Sequence, residues 1–420
     1  MRRPGSGLQN APDATLIPPT HFSMKKLSIA CLVVTALCLT ACNDNQEVEP
    51  IDTCAPKLSA HPKAAQVQEI IKRYTDQWFP GAVVAFKDAN GYWQGATGYS
   101  KSENKTPMQA CQLAYAHSVT KFYTANLVML LIEESKISLD APIANYLPAE
   151  RLSKIPQQEK MTVRMLLDHS SGLQDYTLQA AFQTDVLSNL FNPAWFSSFT
   201  PETFLSYIED KDLLFDPGTD AQYSNCNYIL LARIIEQVTG KPYAQVLQEK
   251  IFQPLGLRQS YYPRDLSGYD LPDSYLDLKG FQGQSVPLDF ENITATQKAF
   301  TQVTLGEDGL IAIPRDFVSF MEAFAQERVV SRRSAEQMRT FPPRASGYSY
   351  GLGVENFALK YGVEAYGHPG GLIGATGNLV YIPKTKTSLF IFINCNVDLS
   401  PTLNAKYDAM MTEVLNKLAE

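Results

Sequence analysis

A serine followed three residues later by a lysine occurs at Ser23/Lys26, Ser102/Lys105 and Ser118/Lys121. A serine hydroxyl becomes a nucleophile only when a base takes its proton, and lysine can be that base once burial or a neighbouring cation lowers its pKa. The spacing alone is common and carries no weight. Only Ser118 and Lys121 open a long apolar run, "SVTKFYTANLVMLLIEE". That run predicts an amphipathic helix, on which residues three apart share a face and the first N–H groups point toward incoming negative charge. The plain alternative makes Ser118 a helix cap and Lys121 a side chain reaching for water.

Two other short groups have residue types suited to the same cleft. Tyr223-Ser224-Asn225, in "FDPGTDAQYSNCNY", precedes another apolar helical stretch and could present a phenol and an amide together. The His368-Pro369-Gly370-Gly371 segment lies between strand-like runs, where glycines let backbone approach a ligand closely. Taken singly, each has an ordinary explanation: a core tyrosine, a capping asparagine, a turn.

The elements that must bring these groups together are readable from hydrophobic period. "AAQVQEIIKRYTDQW" has helical spacing, and "GAVVAFKD" and "YWQGATGYS" flank Ala89-Asn90-Gly91, a strong hairpin signal. The region from about 140 to 300 is rich in helices, turns and prolines; "TVRMLLDHSSGL" and "YSNCNYILLARIIEQVTGKPYAQVLQEKIFQPLGL" read there as glycine-ended helices. Strand-like "SYGLGVEN", "AYGHPGG" and "ATGNLVYIPKTKTSLFIFIN" follow, then an amphipathic helix, "TLNAKYDAMMTEVLNKLAE". Strands near both ends with helices between predict an α+β fold: one antiparallel sheet built from distant segments, flanked by terminal helices, with a mainly helical insertion.

Serine-lysine, Y-x-N and a basic-residue-x-Gly element, in that order, resemble the three-part signature of penicillin-recognising serine enzymes. The chain is similar to the branch containing class C β-lactamases, D-alanyl-D-alanine carboxypeptidases and related esterases. The blocks "KISLDAPIANYLP", "MTVRMLLDHSSGL", "IFQPLGL" and "GEDGLIAIPRDFVSF" look like that family's, in its order, over roughly residues 65 to 418. The resemblance implies the β-lactamase/transpeptidase-like α/β/α sandwich over 61–420. It implies Ser118 as acylated nucleophile, Lys121 as its proton acceptor, and Tyr223 sharing acid and base duty with its phenolate favoured by nearby cations. It further implies Asn225 and His368 as substrate contacts, and an oxyanion hole from the N–H groups of Ser118 and Gly371, with Gly370 completing the strand motif. No cofactor and no metal are implied.

One departure bears on substrate. Lactamases of this branch carry Lys-Thr-Gly on the strand and carboxypeptidase relatives His-Thr-Gly, whereas Pro369 stands here and supplies no hydroxyl. Carboxypeptidase-like or esterase-like hydrolysis of a small molecule or peptide is therefore expected ahead of class C β-lactamase activity. A non-catalytic binder of peptidoglycan fragments is the reading from another class. Separate Ser-His-Asp chemistry at His169 is not favoured, Asp175-Tyr176 is a candidate cleft wall, and Glu307-Asp308 reads as an exposed turn.

Composition sets the remaining expectations. The 420 residues carry a net charge of −7 and no Lys/Arg run interleaved with aromatics, which argues against nucleic acid as a partner. Met24-Lys25-Lys26 opens a short apolar segment ending Leu39-Thr40-Ala41-Cys42, similar to a lipoprotein signal. The reading is an over-extended start at 1–23, a signal at 24–41, a lipid anchor on Cys42 and a tether to residue 60, with the enzyme facing the periplasm from a membrane, the outer one favoured. Of the cysteines beyond these, Cys54 and Cys111 are the expected disulfide, and Cys226 and Cys395 buried thiols.

Overall fold

The computed structural model describes residues 61–284 and 288–420. The proposed signal, Cys42 and Cys54 lie outside the described residues. Helix α1 (Ala64–Thr75) buries Val67 and Ile71 and leads into strands β1 (Gly81–Asp88) and β2 (Gly91–Lys101). Their hairpin turns at Ala89-Asn90, with Asp88 paired to Gly91, whose φ of 112° suits glycine. Helix α2 (Thr120–Glu133) follows, then helix α3 (Asn225–Thr239), which stops at Gly240 with φ 67°, the left-handed conformation that ends many helices. Helix α4 (Pro314–Ala325) precedes strands β3 (Tyr366–Leu372), β4 (Ala375–Ile382) and β5 (Thr387–Ile393), and helix α5 (Pro401–Ala419) closes the described chain.

These strands form one antiparallel sheet in the order Thr106–Pro107, β2, β1, β5, β4, β3, Glu355–Asn356. The N-terminal hairpin joins the C-terminal strands through β1 and β5, Ala82 opposite Ile393. Side-chain alternation divides the two cores. Leu389, Ile391 and Ile393 of β5 pack with α1 and α5, while Phe390 and Phe392 enter the core that holds α2, α3 and α4. Burial on both faces explains why "TSLFIFI" is an unbroken apolar run.

Two expectations change in detail. "TVRMLLDHSSGL" forms a helix only over Val163–Leu167, because His169 takes a left-handed φ of 59° well before Gly172. Helix α2 is not amphipathic: residues from Thr120 through Met129 are all buried, so it is a central core helix. Between α2 and α4 the described chain is mainly helical, as expected. Of the thiols, Cys226 and Cys395 are free and buried, and Cys111 is disulfide-bonded.

Phe390 stacks on Phe317 of α4 with ring centroids 4.1 Å apart, fastening helix to sheet. Phe390→Ala is expected to lower stability by about 3–5 kcal/mol in chemical denaturation. A loss below about 1 kcal/mol would contradict this packing.

Candidate active site

Ser118 sits in the 3₁₀ turn His117–Val119 that feeds α2, and is not a helix cap. His117, immediately before it, holds a φ of 49° although it is not glycine. Such backbone is kept only where the surroundings enforce it. The enforcement is visible: the His117 Nδ1 lies 3.3 Å from a carboxylate oxygen of Asp308, and Ala116 N–H donates to the Leu310 carbonyl at 2.9 Å.

Lys121 is fully buried, which rules out the water-seeking alternative. Its Nζ lies 2.9 Å from Ser118 Oγ, 2.7 Å from Asn225 Oδ1 and 3.0 Å from the Glu307 carbonyl oxygen. A neutral amine has two N–H donors and one lone pair. Asn225 and the Glu307 carbonyl can take both donors, leaving the lone pair for the Ser118 proton. Burial lowers the Lys121 pKa to about 8, against the upward pull of Glu307, Asp308 and Asp175. An amine with that pKa is suited to general-base work near neutral pH.

Tyr223 donates its phenolic hydrogen to Ser118 Oγ at 2.9 Å. Desolvation drives its pKa well above the ordinary value, so it rests as the phenol and not as the phenolate expected from its cationic neighbours. Asn225 opens α3 and is held at both ends: its Nδ2 donates to Asp175 Oδ2 at 2.9 Å while its Oδ1 faces Lys121. This orientation makes Asn225 a holder of the base, with Asp175 as the group that aims it, a partner the sequence marked only as cleft wall.

Strand β3 supplies the other wall. Gly370 and Gly371 line the cavity beside Ser118. A Cβ at Gly370 would lie 2.5 Å from the Ala116 carbonyl oxygen, so glycine is what lets the strand press against the nucleophile turn. His368 corrects an expectation: it is fully buried, is not among the cavity-lining residues, and pairs through Nε2 with the Tyr350 hydroxyl at 2.6 Å. Burial lowers its pKa to about 3, leaving a neutral ring beneath the cleft. His169 accepts from the Ser224 N–H through Nδ1 at 3.2 Å and packs against Tyr223 with ring centroids 4.5 Å apart.

Glu307 and Asp308, expected on an exposed turn, are 1% and 3% exposed. A loop following a helix and rich in small residues looks solvent-facing in sequence; here it wraps the nucleophile instead. The cavity encloses about 810 Å³. Phe182, Val186, Leu190 and Phe300 are among its apolar lining residues, and the carboxyl groups of Asp175, Glu355 and Asp398 also line it, with burial raising the pKa of Asp398 and pushing Glu355 up to about 7. Among the described residues no cluster of His, Cys, Asp or Glu could hold a metal ion.

Comparison with known proteins agrees with the fold. The family model described as Beta-lactamase matches residues 67–409. Penicillin-binding protein 4 of Amycolatopsis lactamdurans is 25% identical over 82% of this chain and 87% of its own length. The D-alanyl-D-alanine-carboxypeptidase/endopeptidase AmpH of Escherichia coli (strain K12) is 22% identical over 81% and 89%. Among solved structures, a D-stereospecific amidohydrolase from Streptomyces sp. superposes with a TM-score of 0.69 at 26% identity, covering 82% of this chain and 98% of that one.

Gly370→Ala is expected to lower kcat/KM by about 10–100-fold, because displacing the strand by a fraction of an ångström moves the substrate off the nucleophile. The same change should cost about 1–3 kcal/mol in thermal melts. An unaltered rate would show that the close approach has no catalytic consequence.

Proposed function

This chain belongs to the beta-lactamase family and is a serine hydrolase of its fold, and on that premise we propose that it hydrolyses peptide-like amides or esters through an acyl-Ser118 intermediate. The observation that carries the reading is the hydrogen-bonded set of Ser118 Oγ, Lys121 Nζ and Tyr223 hydroxyl.

The proposed sequence balances with these groups alone. Ser118 Oγ bonds to the substrate carbonyl carbon as its proton passes to Lys121, and the oxyanion is received by the N–H groups of Ser118 and Gly371. Collapse breaks the bond to the leaving amine or alcohol, which takes the phenolic proton of Tyr223. Water then attacks the acyl carbon, giving its proton to the Tyr223 phenolate. Ser118 departs with the proton held by Lys121, and all groups return to their starting state. The Lys121 ammonium near the Tyr223 ring, 5.0 Å away, favours the transient phenolate.

Charge in the cavity informs the substrate. Asp398 lies so close to β3 that a Cβ on Gly371 would be 2.7 Å from its Oδ2, and the cation lining the cavity, Lys360, is paired with Asp408 at 2.8 Å. Negative charge beside the strand and no hydroxyl at Pro369 disfavour the carboxylate of a β-lactam. Amides and esters with an apolar side group fit the Phe182 and Phe300 wall. The AmpH relative and the D-stereospecific amidohydrolase, by their names, act on D-configured substrates, and D-residue peptides and amides are the proposed class here.

We further propose that the enzyme is held at a membrane by lipid on Cys42, facing the periplasm; the sequence of residues 24–42 is the support, and the mass of the mature N-terminal peptide is the test. Among the described residues no helix is long and apolar enough to cross a membrane.

A panel of p-nitrophenyl esters, D-amino acid amides, D-Ala-D-Ala peptides and nitrocefin tests the activity. Turnover of an ester, amide or peptide at a kcat/KM at least about tenfold above nitrocefin, about 1.4 kcal/mol in barrier, is expected. Nitrocefin as the preferred substrate would overturn the assignment. Because Lys121 accepts a proton only as the free amine, kcat/KM should climb with pH through an inflection near 8 and fall away below it. An acid limb near the ordinary lysine pKa would contradict burial as the activating device.

A further inference from the structure

The loop from Thr304 to Leu310 reaches every part of the nucleophile turn. Thr124 of α2 donates to the Gly306 carbonyl at 2.6 Å, Lys121 to the Glu307 carbonyl, and Asp308 meets His117. The Glu307 side chain has no evident structural task of comparable weight. Its Oε2 accepts one bond, from Leu305 N–H at 3.0 Å, and its Oε1 is buried without a partner. An ionisable group this enclosed and half-satisfied is costly, and a well-packed apolar or amide side chain would cost less. Its retention calls for a role.

The neighbourhood identifies one. The Glu307 carbonyl oxygen lies 3.0 Å from Lys121 Nζ, so the residue that bears this buried carboxylate touches the amine, and its charge opposes the burial that lowers the Lys121 pKa. When Ser118 attacks, the amine becomes an ammonium in a place from which water is excluded, where an uncompensated cation is strongly disfavoured. We propose that Glu307 is a positioning residue for the base, its carboxylate being the countercharge that stabilises Lys121 as it takes the Ser118 proton. This rests on the reading of Ser118 and Lys121 as nucleophile and base. The proton moves from Oγ to Nζ only; Glu307 forms and breaks no bond.

Other groups around the amine do not replace it. Asp175 is engaged by the Asn225 amide and Asp308 by His117, while the thiol of Cys226 is held neutral by burial. From the opposite side come the buried rings of His169 and His368, both kept neutral, and the rings of Tyr223 and Tyr228 at 5.0 and 5.8 Å. Burial raises the Glu307 pKa to about 8 while the Lys121 cation lowers it, so the carboxylate is favoured as the amine takes up its proton.

The test reads Lys121 directly, by ¹³C NMR of the full chain labelled at lysine Cε, its signal identified by its absence in Lys121→Arg. Glu307→Gln keeps shape and removes charge; the Lys121 midpoint is expected to fall by about one pH unit or more. The acid limb of kcat/KM should move down with it, while the plateau drops at least about tenfold. Glu307→Asp should restore most of both. If Glu307→Gln does not fold, Glu307→Ser, also neutral and smaller, gives the same reading. An unchanged Lys121 midpoint in a folded neutral variant overturns the inference. The titration needs no turnover, so an inactive wild type would sink the hydrolase reading separately from this one.

Discussion

An amine without access to water is the constraint on which the rest of the site depends. Lys121 is fully buried, and burial both makes it a usable base and makes its charged form expensive. Everything around Nζ answers one of these two consequences. Asn225 and the Glu307 carbonyl can take two N–H donors, the lone pair of the free amine faces the Ser118 hydroxyl, and Glu307, Asp308 and Asp175 pull the Lys121 pKa upward against burial. A solvated lysine at this spacing would be an ordinary surface cation.

The fold supplies this environment from pieces far apart in the chain. Helix α2 carries Lys121 into the larger core, with Ser118 on the 3₁₀ turn that feeds it; α3 presents Asn225 at its first turn, where Asp175 orients it. The Thr304–Leu310 loop contacts Ala116, His117 and Lys121, and β3 comes against the Ser118 turn at Gly370, where any Cβ would collide with the Ala116 carbonyl. The sheet is rigid because both faces are buried, so the strand's position against Ser118 is fixed by the packing of β5 and α4 behind it. Strain at His117 is the local cost of that convergence.

Sequence reading marked Ser118, Lys121 and Tyr223, which the fold brings within hydrogen-bond distance, because such chemistry is constrained by residue type and order and because an apolar run located the helix that begins just after Ser118. The hairpin at Ala89-Asn90 and the strand-like run that forms β4 and β5 were legible for the same reason: local turn chemistry and hydrophobic runs are one-dimensional signals. What was not legible depends on three-dimensional burial. The turn Glu307-Asp308 reads as exposed because acids usually are, yet it lies against Lys121. His368 reads as a substrate contact from its motif, yet it is fully buried and its Nε2 is engaged by the Tyr350 hydroxyl. The resting phenol of Tyr223 reverses the expected phenolate because desolvation outweighs the neighbouring cation. Asp175, which aims Asn225, had no motif to mark its partner, since the pair is joined only by the meeting of a loop with the first turn of α3.

The central claim is that Ser118 is activated in the resting protein. Intact-mass spectrometry after exposure to a fluorophosphonate tests it most directly, on the wild type beside Ser118→Ala and Lys121→Ala. The account predicts one adduct on the wild type, none on Ser118→Ala, and labelling slowed at least about 100-fold on Lys121→Ala. An adduct that persists in Ser118→Ala, or a folded wild type that takes none, would contradict it.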